Sequence, residues 1–367
     1  MTATHLPLAG IRVLDAGMLY AAPLIATLLA DQGADVIKIE PPAGDTYRDW
    51  SAMWALVGRN KRSLTLDLTK PEGRDVFMRL VAHVDVVIEN LPRRVAEQRG
   101  LTPEAMRAVK PSLVVVSASG FGPDGPYADR AANGTVAEAF TGLTGLTGDP
   151  GGPPQLPSAP LGDALAAAFG AFGALAGVIR ALQTGEGATV DVTVYEPLLH
   201  TLGTTLASWQ PDSPPPTRDG GAMGVPLRGT FATNDGGWIA ISASTPRHQQ
   251  SVAELAGDSP GSSLRDRARA WLATVSTQQA IDALVAARVS ATVVNDLAGL
   301  AADPQVQHRH SLQHLGGHLI ARPTPVIDGP EHEPTLPLLG DANDEVLTGW
   351  LGMPAERLAA LRAAGVI

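Results

Sequence analysis

The sequence predicts an α/β protein in which a larger domain of alternating strands and helices precedes a smaller α+β domain. Two observations support this prediction. Short apolar runs alternate with helical patterns over the first half of the chain, and the pattern changes from Gly229 onward, after a proline-rich stretch. The length of 367 residues favours two domains, and a composition with 44% apolar and 17% charged residues is typical of a packed globular protein.

The N-terminal part begins with a βαβ unit. Ile11–Leu14 is a short apolar run that predicts a buried strand, and Asp35–Glu40 predicts a second one. Between them, Ala21–Gln32 has the length and the apolar spacing of a helix.

The same alternation continues along the chain. Strands are predicted at Ser63–Leu68, Asp85–Ile88 and Leu113–Ser117. A helix is predicted at Pro71–His83, because proline is well suited to the first turn of a helix.

The second half contains two loop-like runs and a different set of elements. Gly148–Pro160 and Pro211–Pro216 are rich in Pro and Gly, and the second run is predicted to be an interdomain linker. After it, Trp238–Ser242 alternates like a half-buried strand, and Ser263–Ala273 and Gln278–Ala287 have helical patterns.

Composition excludes several classes of function. A formal charge of −10 argues against a nucleic-acid surface, and the absence of cysteine excludes disulfides, thiolate nucleophiles and Cys-ligated metals. The segment Met1–His5 has no basic stretch leading into an apolar one, so we expect a cytoplasmic protein. The apolar run Ala164–Ile179 is short and rich in Ala and Gly, and we predict a buried core helix with no membrane contact.

Three familiar motifs are absent or incomplete. Asp15–Tyr20 has one glycine where a dinucleotide-binding loop needs three, and Val116–Gly120 lacks the leading glycine of a nucleophile elbow. Four histidines lie close together near the C-terminus, but Gly316–Gly317 would interrupt a helix that carried them, so we predict a solvated loop and no metal site. These histidines are His308, His310, His314 and His318.

Asp163 is the candidate nucleophile. It lies at the start of the apolar helical run and follows a Pro/Gly-rich loop. A helix start presents unpaired N–H groups and partial positive charge, which would keep this carboxylate ionised and directed outward. The alternative is an ordinary helix cap, because Asp is among the best N-cap residues.

Segments spread along most of the chain resemble the class III CoA-transferase family, which includes formyl-CoA and carnitine CoA-transferases and the α-methylacyl-CoA racemases. The similarity is weakest from Asp212 to Pro337. The segments are Leu8–Asp15, Gly33–Pro41, Asn60–Leu64, Val87–Asn90, Ser119–Gly122, Gly125–Tyr127, Gly162–Asp163, Thr184–Val192, Leu339–Gly340, Asp344–Leu347 and Leu361–Ile367.

The resemblance implies a Rossmann-like large domain, a small α+β domain and an interlocked, ring-like homodimer. It also implies a coenzyme A thioester as substrate and Asp163 as the catalytic aspartate. We accordingly predict a large domain at 1–205, a linker at 206–228, a small domain at 229–325 and a segment at 326–367 that returns to the large domain.

Coenzyme A would also account for basic residues in an acidic protein. We predict contacts to its phosphates from four cations, and a pocket lined by the loop after the first strand and by a pair of residues after the fourth. The cations are Lys61, Arg62, Arg94 and Arg99. The pocket residues are Met18, Leu19, Tyr20, Ala21, Asn90 and Leu91.

Within the family, the choice between CoA transfer and racemisation depends on a second acid–base group. Related racemases pair the aspartate with a histidine, and that position is Asn133 here, which cannot shuttle a proton. Glu138 is near in sequence but is expected to be a helix-surface acid. We therefore favour transfer of CoA to a carboxylic acid, with a racemase, or a non-catalytic subunit of a heteromeric transferase, as alternatives. The acyl group is not predicted, although Arg218 or Arg228 could meet a dicarboxylic substrate.

Overall fold

The computed structural model describes residues 6–328, 330 and 333–367, which form two compact units. The first unit contains the N-terminal part through Thr141, Ser158–Thr201 and His310–Ile367. The second contains Gly142–Pro157 and Leu202–Arg309. The expected absence of a secretory signal depends on Met1–His5, which lies outside the described residues.

The strands, in chain order, are β1 Arg12–Asp15, β2 Asp35–Glu40, β3 Arg62–Thr65, β4 Val86–Glu89, β5 Val114–Ser119, β6 Thr189–Thr193, β7 Leu227–Ala232, β8 Trp238–Ala243, β9 Ser290–Val293, β10 Leu312–Leu315 and β11 His318–Ala321.

The α-helices are α1 Ala21–Ala30, α2 Ser51–Val57, α3 Pro71–Val81, α4 Arg93–Arg99, α5 Pro103–Val109, α6 Gly134–Phe140, α7 Leu143–Leu146, α8 Leu161–Thr184, α9 Glu196–Ser208, α10 Pro246–Ala256, α11 Leu264–Leu272, α12 Thr277–Ala286, α13 Leu297–Ala302, α14 Pro304–His308, α15 Asn343–Gly349 and α16 Ala355–Ala363. A 3₁₀ turn spans Thr46–Asp49.

The first unit is built on a parallel six-stranded sheet with the order β3-β2-β1-β4-β5-β6. This confirms the predicted α/β class, and the predicted strands of this sheet are present, with β2 exact and the ends of the others one to three residues away. The strand order reverses between β1 and β4. In open α/β sheets, ligands bind at the carboxyl ends of the strands beside such a reversal. The loops after β1 and β4, which carry the predicted coenzyme A pocket, lie at that position.

The Ala/Gly composition of α8 is explained by how closely it packs on the sheet and on α1. A Cβ atom on Gly170 would lie 2.5 Å from Ile25 Cδ1, and one on Gly177 would lie 2.8 Å from Val114 Cγ1. Larger side chains would push the helix away from the sheet. The prediction of a fully buried helix is wrong for the opposite face, where Phe172 is 73% exposed and Leu182 is 77% exposed.

Among the described helices, α8 alone has the length and composition needed to cross a membrane. Core helices pass the same test, so this observation carries little weight.

The second unit contains the antiparallel sheet β7-β8-β9 and helices α10, α11 and α12. Its core takes alternate residues of β8, such as Ile239 and Ile241, together with Phe231 of β7 and Leu272 of α11. The α+β character predicted from the alternation at 238–242 is confirmed for this part of the chain. The predicted linker at 206–228 overlaps the end of α9 and the first two residues of β7, and residues 209–226 between them contain no helix or strand.

The C-terminal segment lies along β3 in the first unit. Ser63 N–H donates to Asp341 Oδ1 at 2.8 Å, and Asp67 N–H donates to Val366 O at 2.8 Å. The observed division differs from the predicted one in three places, and in the first of them the second unit starts at Leu202 and includes the predicted linker. Residues 142–157 group with the second unit, and the return to the first begins at His310.

The predicted solvated loop is wrong for three of the four histidines, because His314 and His318 lie in a β-hairpin and His308 is the last residue of α14. Strands β10 and β11 pair in antiparallel register, and Gly316 and Gly317 form the turn with positive φ angles of 58° and 83°. No group of three or more His, Asp or Glu side chains that could hold a metal occurs in the part of the chain that the structure describes.

Candidate active site

Asp163 is the third residue of α8, and its side chain is half-buried. Its Oδ2 accepts a hydrogen bond of 3.0 Å from the N–H of Gly134, the first residue of α6. The N-cap position of α8 is Pro160, whose side chain makes no capping bond. Asp163 therefore does not cap its own helix. It binds the N-terminus of a neighbouring helix.

Glycine is required where these two helix starts meet. A Cβ atom on Gly134 would lie 2.4 Å from Asp163 Oδ2, and a Cβ atom on Gly162 would lie 3.0 Å from Gly134 Cα. Two Cα positions can therefore approach each other, and the Asp163 carboxylate can reach a backbone N–H that a larger residue would block.

Glu138 is the second carboxylate at this junction. It is 2% exposed, and its Oε1 accepts a hydrogen bond of 3.2 Å from the N–H of Gly162. The expectation of a surface acid is wrong, because α6 turns this side chain toward α8. The sequence contains a weak signal of this arrangement, since Glu138 follows one turn after Gly134 in a helix with few other polar residues.

Burial raises the pKa of the Asp163 carboxyl above its usual range, the hydrogen bond from Gly134 opposes this, and the charge of Glu138 raises the pKa further. This direction is opposite to the expectation from the helix N-terminus alone. A carboxylate with a raised pKa is more basic and hence a better nucleophile when ionised.

Two tyrosines lie within electrostatic reach of Asp163. Burial raises the pKa of Tyr20, and the charge of Asp163 adds to it. Tyr47 has a raised pKa for the same two reasons, in the same order. Both phenols are therefore protonated at neutral pH and can donate hydrogen bonds. Tyr20 was predicted as a pocket residue, whereas Tyr47 was missed, because its 3₁₀ turn carries no sequence motif.

The Asn90 side chain holds the loop between β1 and α1 through two hydrogen bonds. Met18 N–H donates to Asn90 Oδ1 at 2.9 Å, and Asn90 Nδ2 donates to Met18 O at 2.8 Å. Leu19 has a φ angle of 66°, a conformation that costs energy in a non-glycine residue. Met18 and Leu19 are 44% and 54% exposed, so this fixed loop presents two apolar side chains to solvent. Asn90 fixes the loop through its side chain.

Of the remaining predicted pocket residues, Ala21 is buried in the first turn of α1. Leu91 is half-buried after β4, and its N–H donates to Glu89 Oε2 at 2.7 Å.

Lys61 is not a phosphate contact. Its ammonium is fully buried, and Nζ lies 2.7 Å from Asp15 Oδ2 and 2.7 Å from Pro23 O. Burial lowers the pKa of Lys61 to about 8, although the adjacent Asp15 opposes the shift. The side chain links β1 and α1 next to the start of β3, and its burial keeps the ammonium away from a ligand in solvent.

The three predicted arginines differ in their partners. Arg62 makes two ion pairs, with Asp35 at 2.7 Å and with Glu345 at 2.8 Å. Arg94 and Arg99 lie on α4, which follows β4 at the sheet reversal. The ion pairs and hydrogen bonds of the described residues leave both guanidinium groups without a partner, so both remain candidates for coenzyme A phosphates.

Within the second unit, Arg218 and Arg228 have different surroundings. Arg218 donates to Gly145 O at 2.9 Å and also to Gly152 O, which uses its guanidinium to hold a loop. Arg228 lines a cavity of about 640 Å³ on β7, β8 and β9.

Known proteins resemble this chain over nearly its whole length. The family model described as CoA-transferase family III matches residues 8–331. The chain is similar to succinyl-CoA–D-citramalate CoA-transferase of Chloroflexus aurantiacus, with 33% identity over 98% of both chains. It is also similar to the β subunit of succinyl-CoA–L-malate CoA-transferase of the same organism, with 33% identity over 100% of this chain and 99% of the relative. The crystal structure of a CaiB/BaiF family protein from Brucella suis superposes with a TM-score of 0.83 at 26% identity, covering 94% of this chain and 100% of that one.

Proposed function

This chain belongs to CoA-transferase family III, and we propose that it moves coenzyme A from an acyl-CoA to a free carboxylic acid through an aspartyl-CoA thioester on Asp163. The observation that carries this proposal is the environment of Asp163. Gly134 N–H holds Oδ2 in place, while no hydrogen bond from the described residues reaches Oδ1. One oxygen is thus fixed and the other is left to attack.

In the proposed reaction, Asp163 Oδ1 attacks the thioester carbonyl, and the C–S bond breaks to give a mixed anhydride and the CoA thiolate. The thiolate then attacks the Asp163 carbonyl of the anhydride, which releases the acyl group as a free carboxylate and leaves aspartyl-CoA. The acceptor acid reverses these steps. Donors preorganised around the reacting carbonyl would stabilise each oxyanion, and Tyr20 and Tyr47 are the protonated hydroxyls in reach of Asp163.

Coenzyme A is a substrate here, and we propose the sheet reversal as its binding region. The loop Met18–Ala21 and the pair Asn90–Leu91 follow neighbouring strands at the carboxyl end of the sheet. Arg94 and Arg99 would supply positive charge for the phosphates, since neither has an internal partner among the described side chains.

We propose dicarboxylic acids as the substrate class. Both similar transferases from Chloroflexus are named for succinyl-CoA as donor and for citramalate or malate as acceptor. The sequence match is nearly full-length in each case, although 33% identity leaves room for a different acid of this class.

We propose that a second copy covers the exposed face of α8, as in the interlocked homodimer that the family resemblance implies. Phe169, Phe172, Ile179 and Leu182 lie on one side of this helix and are 41%, 73%, 55% and 77% exposed. Exposed apolar surface of this extent is typical of an interface. A related subunit could take the place of the second copy, because one relative is named as the β subunit of a transferase. A cytoplasmic location remains a prediction.

Racemisation is less well supported. Asn133 Oδ1 accepts from Val136 N–H at 3.2 Å and so serves as the N-cap of α6. Glu138, the other nearby candidate, is buried and engaged with Gly162. Two accessible acid–base groups on opposite faces of a substrate carbon are therefore lacking among these residues.

The test is to trap the intermediate. The protein is incubated with succinyl-CoA, digested, and the peptide containing Asp163 is analysed by mass spectrometry for bound coenzyme A. We expect an adduct that disappears on adding an acceptor acid and is absent from Asp163→Asn. Rapid exchange of CoA between acids in the Asp163→Asn variant would refute the assignment.

A further inference from the structure

We propose that Glu138 is a positioning residue for the Asp163 nucleophile, an inference that rests on the proposed function. It fixes the first turn of α8 through the N–H of Gly162, and its negative charge acts on the neighbouring carboxylate. At 2% exposure it is closed to a substrate, so it acts through Asp163.

Two reciprocal hydrogen bonds link the first turns of α6 and α8. Gly134 N–H at the start of α6 donates to Asp163 of α8, and Gly162 N–H at the start of α8 donates to Glu138 of α6. N–H groups in the first turn have no partner within their own helix. Each helix thus satisfies a free N–H of the other, and the two bonds hold the backbone at Gly162 and the carboxylate of Asp163.

The hydrogen bond alone does not explain a glutamate at this position. The Gly162 N–H requires only an acceptor, which a glutamine amide would supply without the cost of burying a charge. The hydrogen bond therefore does not account for the negative charge of Glu138.

The groups that face Asp163 give the charge a role. They are Glu138 of α6, Tyr20 before α1 and Tyr47 in the 3₁₀ turn, and the two phenols are neutral at pH 7. Glu138 is thus the charged member of this set, and its sign matches that of Asp163. Its charge raises the pKa of Asp163, which makes the ionised carboxylate a stronger base and nucleophile.

Two variants separate the hydrogen bond from the charge. Glu138→Gln keeps an acceptor for Gly162 and removes the charge, whereas Glu138→Ala removes both. The single-turnover rate of CoA transfer to Asp163 is measured against pH by mass spectrometry, with succinyl-CoA as the donor. The matched control is Glu356→Gln, which removes an exposed glutamate at the start of α16.

In Glu138→Gln, we expect the acid limb of the pH–rate profile to move to lower pH, with a plateau within about tenfold of wild type. In Glu138→Ala, we expect a loss of about 10²-fold, because the first turn of α8 is no longer held. The Glu356→Gln control should have the same acid limb as the wild type. If the role of Glu138 were purely structural, the acid limb of Glu138→Gln would also stay at the wild-type pH.

An unmoved limb in Glu138→Gln would overturn the proposal, even if Glu138→Ala failed to fold. So would a Glu138→Ala variant that matched Glu138→Gln in rate. Failure of the proposed function is distinguishable, because the wild-type protein would then form no adduct on Asp163 at any pH.

Discussion

Replacing Gly134 by alanine would place a methyl group against the Asp163 carboxylate. The added Cβ would lie 2.4 Å from Asp163 Oδ2, whereas ordinary contacts begin at 3.4 Å. The carboxylate would have to retreat by about 1 Å, and a displacement of that size at a reacting group can cost about 10²-fold in rate.

The stability of the same variant should change little. The obstructing atom is the end of a side chain that can rotate, and alanine favours a helix over glycine by about 0.5–1 kcal/mol. We therefore expect kcat for CoA exchange to fall about 10²-fold, while the free energy of unfolding in urea stays within about 1 kcal/mol of wild type.

The matched control is Gly349→Ala on α15, where an added Cβ meets nothing within 4 Å. It should be as stable as wild type or slightly more so, with unchanged kcat. If Gly134→Ala kept its kcat within about twofold of wild type, the N–H of Gly134 would not be needed to hold the nucleophile.

Five further predictions test other parts of the argument. Asp163→Asn should abolish exchange, because an amide has no anionic oxygen, and activity assays with near-wild-type unfolding curves would confirm a chemical defect. Lys61→Met should cost about 3 kcal/mol in urea unfolding, because the buried Asp15 carboxylate would keep only its longer ion pair with Lys38, at 3.8 Å, whereas Arg62→Met at a partly exposed pair should cost less than about 1 kcal/mol. Arg94→Ala should raise KM for the acyl-CoA with little change in kcat, and an unchanged KM would exclude Arg94 from phosphate binding. Asn133→Ala should cost about 1 kcal/mol in thermal or urea unfolding through loss of a helix cap. When the wild-type protein is incubated with a 2-methylacyl-CoA in heavy water, mass spectrometry should detect little deuterium at the α-carbon of the substrate. Rapid incorporation would favour racemase activity over CoA transfer.

Elements set by local pattern could be predicted from the sequence. The β1–α1–β2 unit follows from apolar runs and helical spacing that act over ten residues or fewer, and Asp163 is recognisable from its place before an Ala/Gly-rich helix. The hairpin β10–β11 is not predictable from its histidines and glycines, which give no strand signal, although Leu315 and Ile320 pack against Ala55 of α2 in a small separate cluster.

Side-chain roles that depend on distant partners could not be predicted. Lys61 follows a turn, where a surface cation is the ordinary expectation, but its partner Asp15 lies 46 residues earlier in the chain. Glu138 shows the same problem, because its burial depends on Gly162, 24 residues away. The spacing of residues predicts the helix on which a side chain lies. It does not predict which distant helix packs against that side chain.

The buried charges of the first unit serve to fix the loops around Asp163. Asp15 pairs with Lys61 at 2.7 Å, and Lys38 lies between Asp15 and Asp45, at 3.8 Å and 3.3 Å. Lys38 also donates to Gly17 O in the loop that leads to Tyr20, and Asp45 accepts from the N–H of Tyr47 at 2.9 Å.

Both tyrosine-bearing loops therefore attach to one buried ion-pair chain, in which each charge has a partner of opposite sign, as burial requires. Lys38 and Lys61 are buried in this chain of ion pairs, so neither ammonium reaches a phosphate in solvent. We therefore expect the positive charge for coenzyme A to come from arginines that the fold leaves without partners. Among the four cations predicted for this role, that condition selects Arg94 and Arg99 on α4.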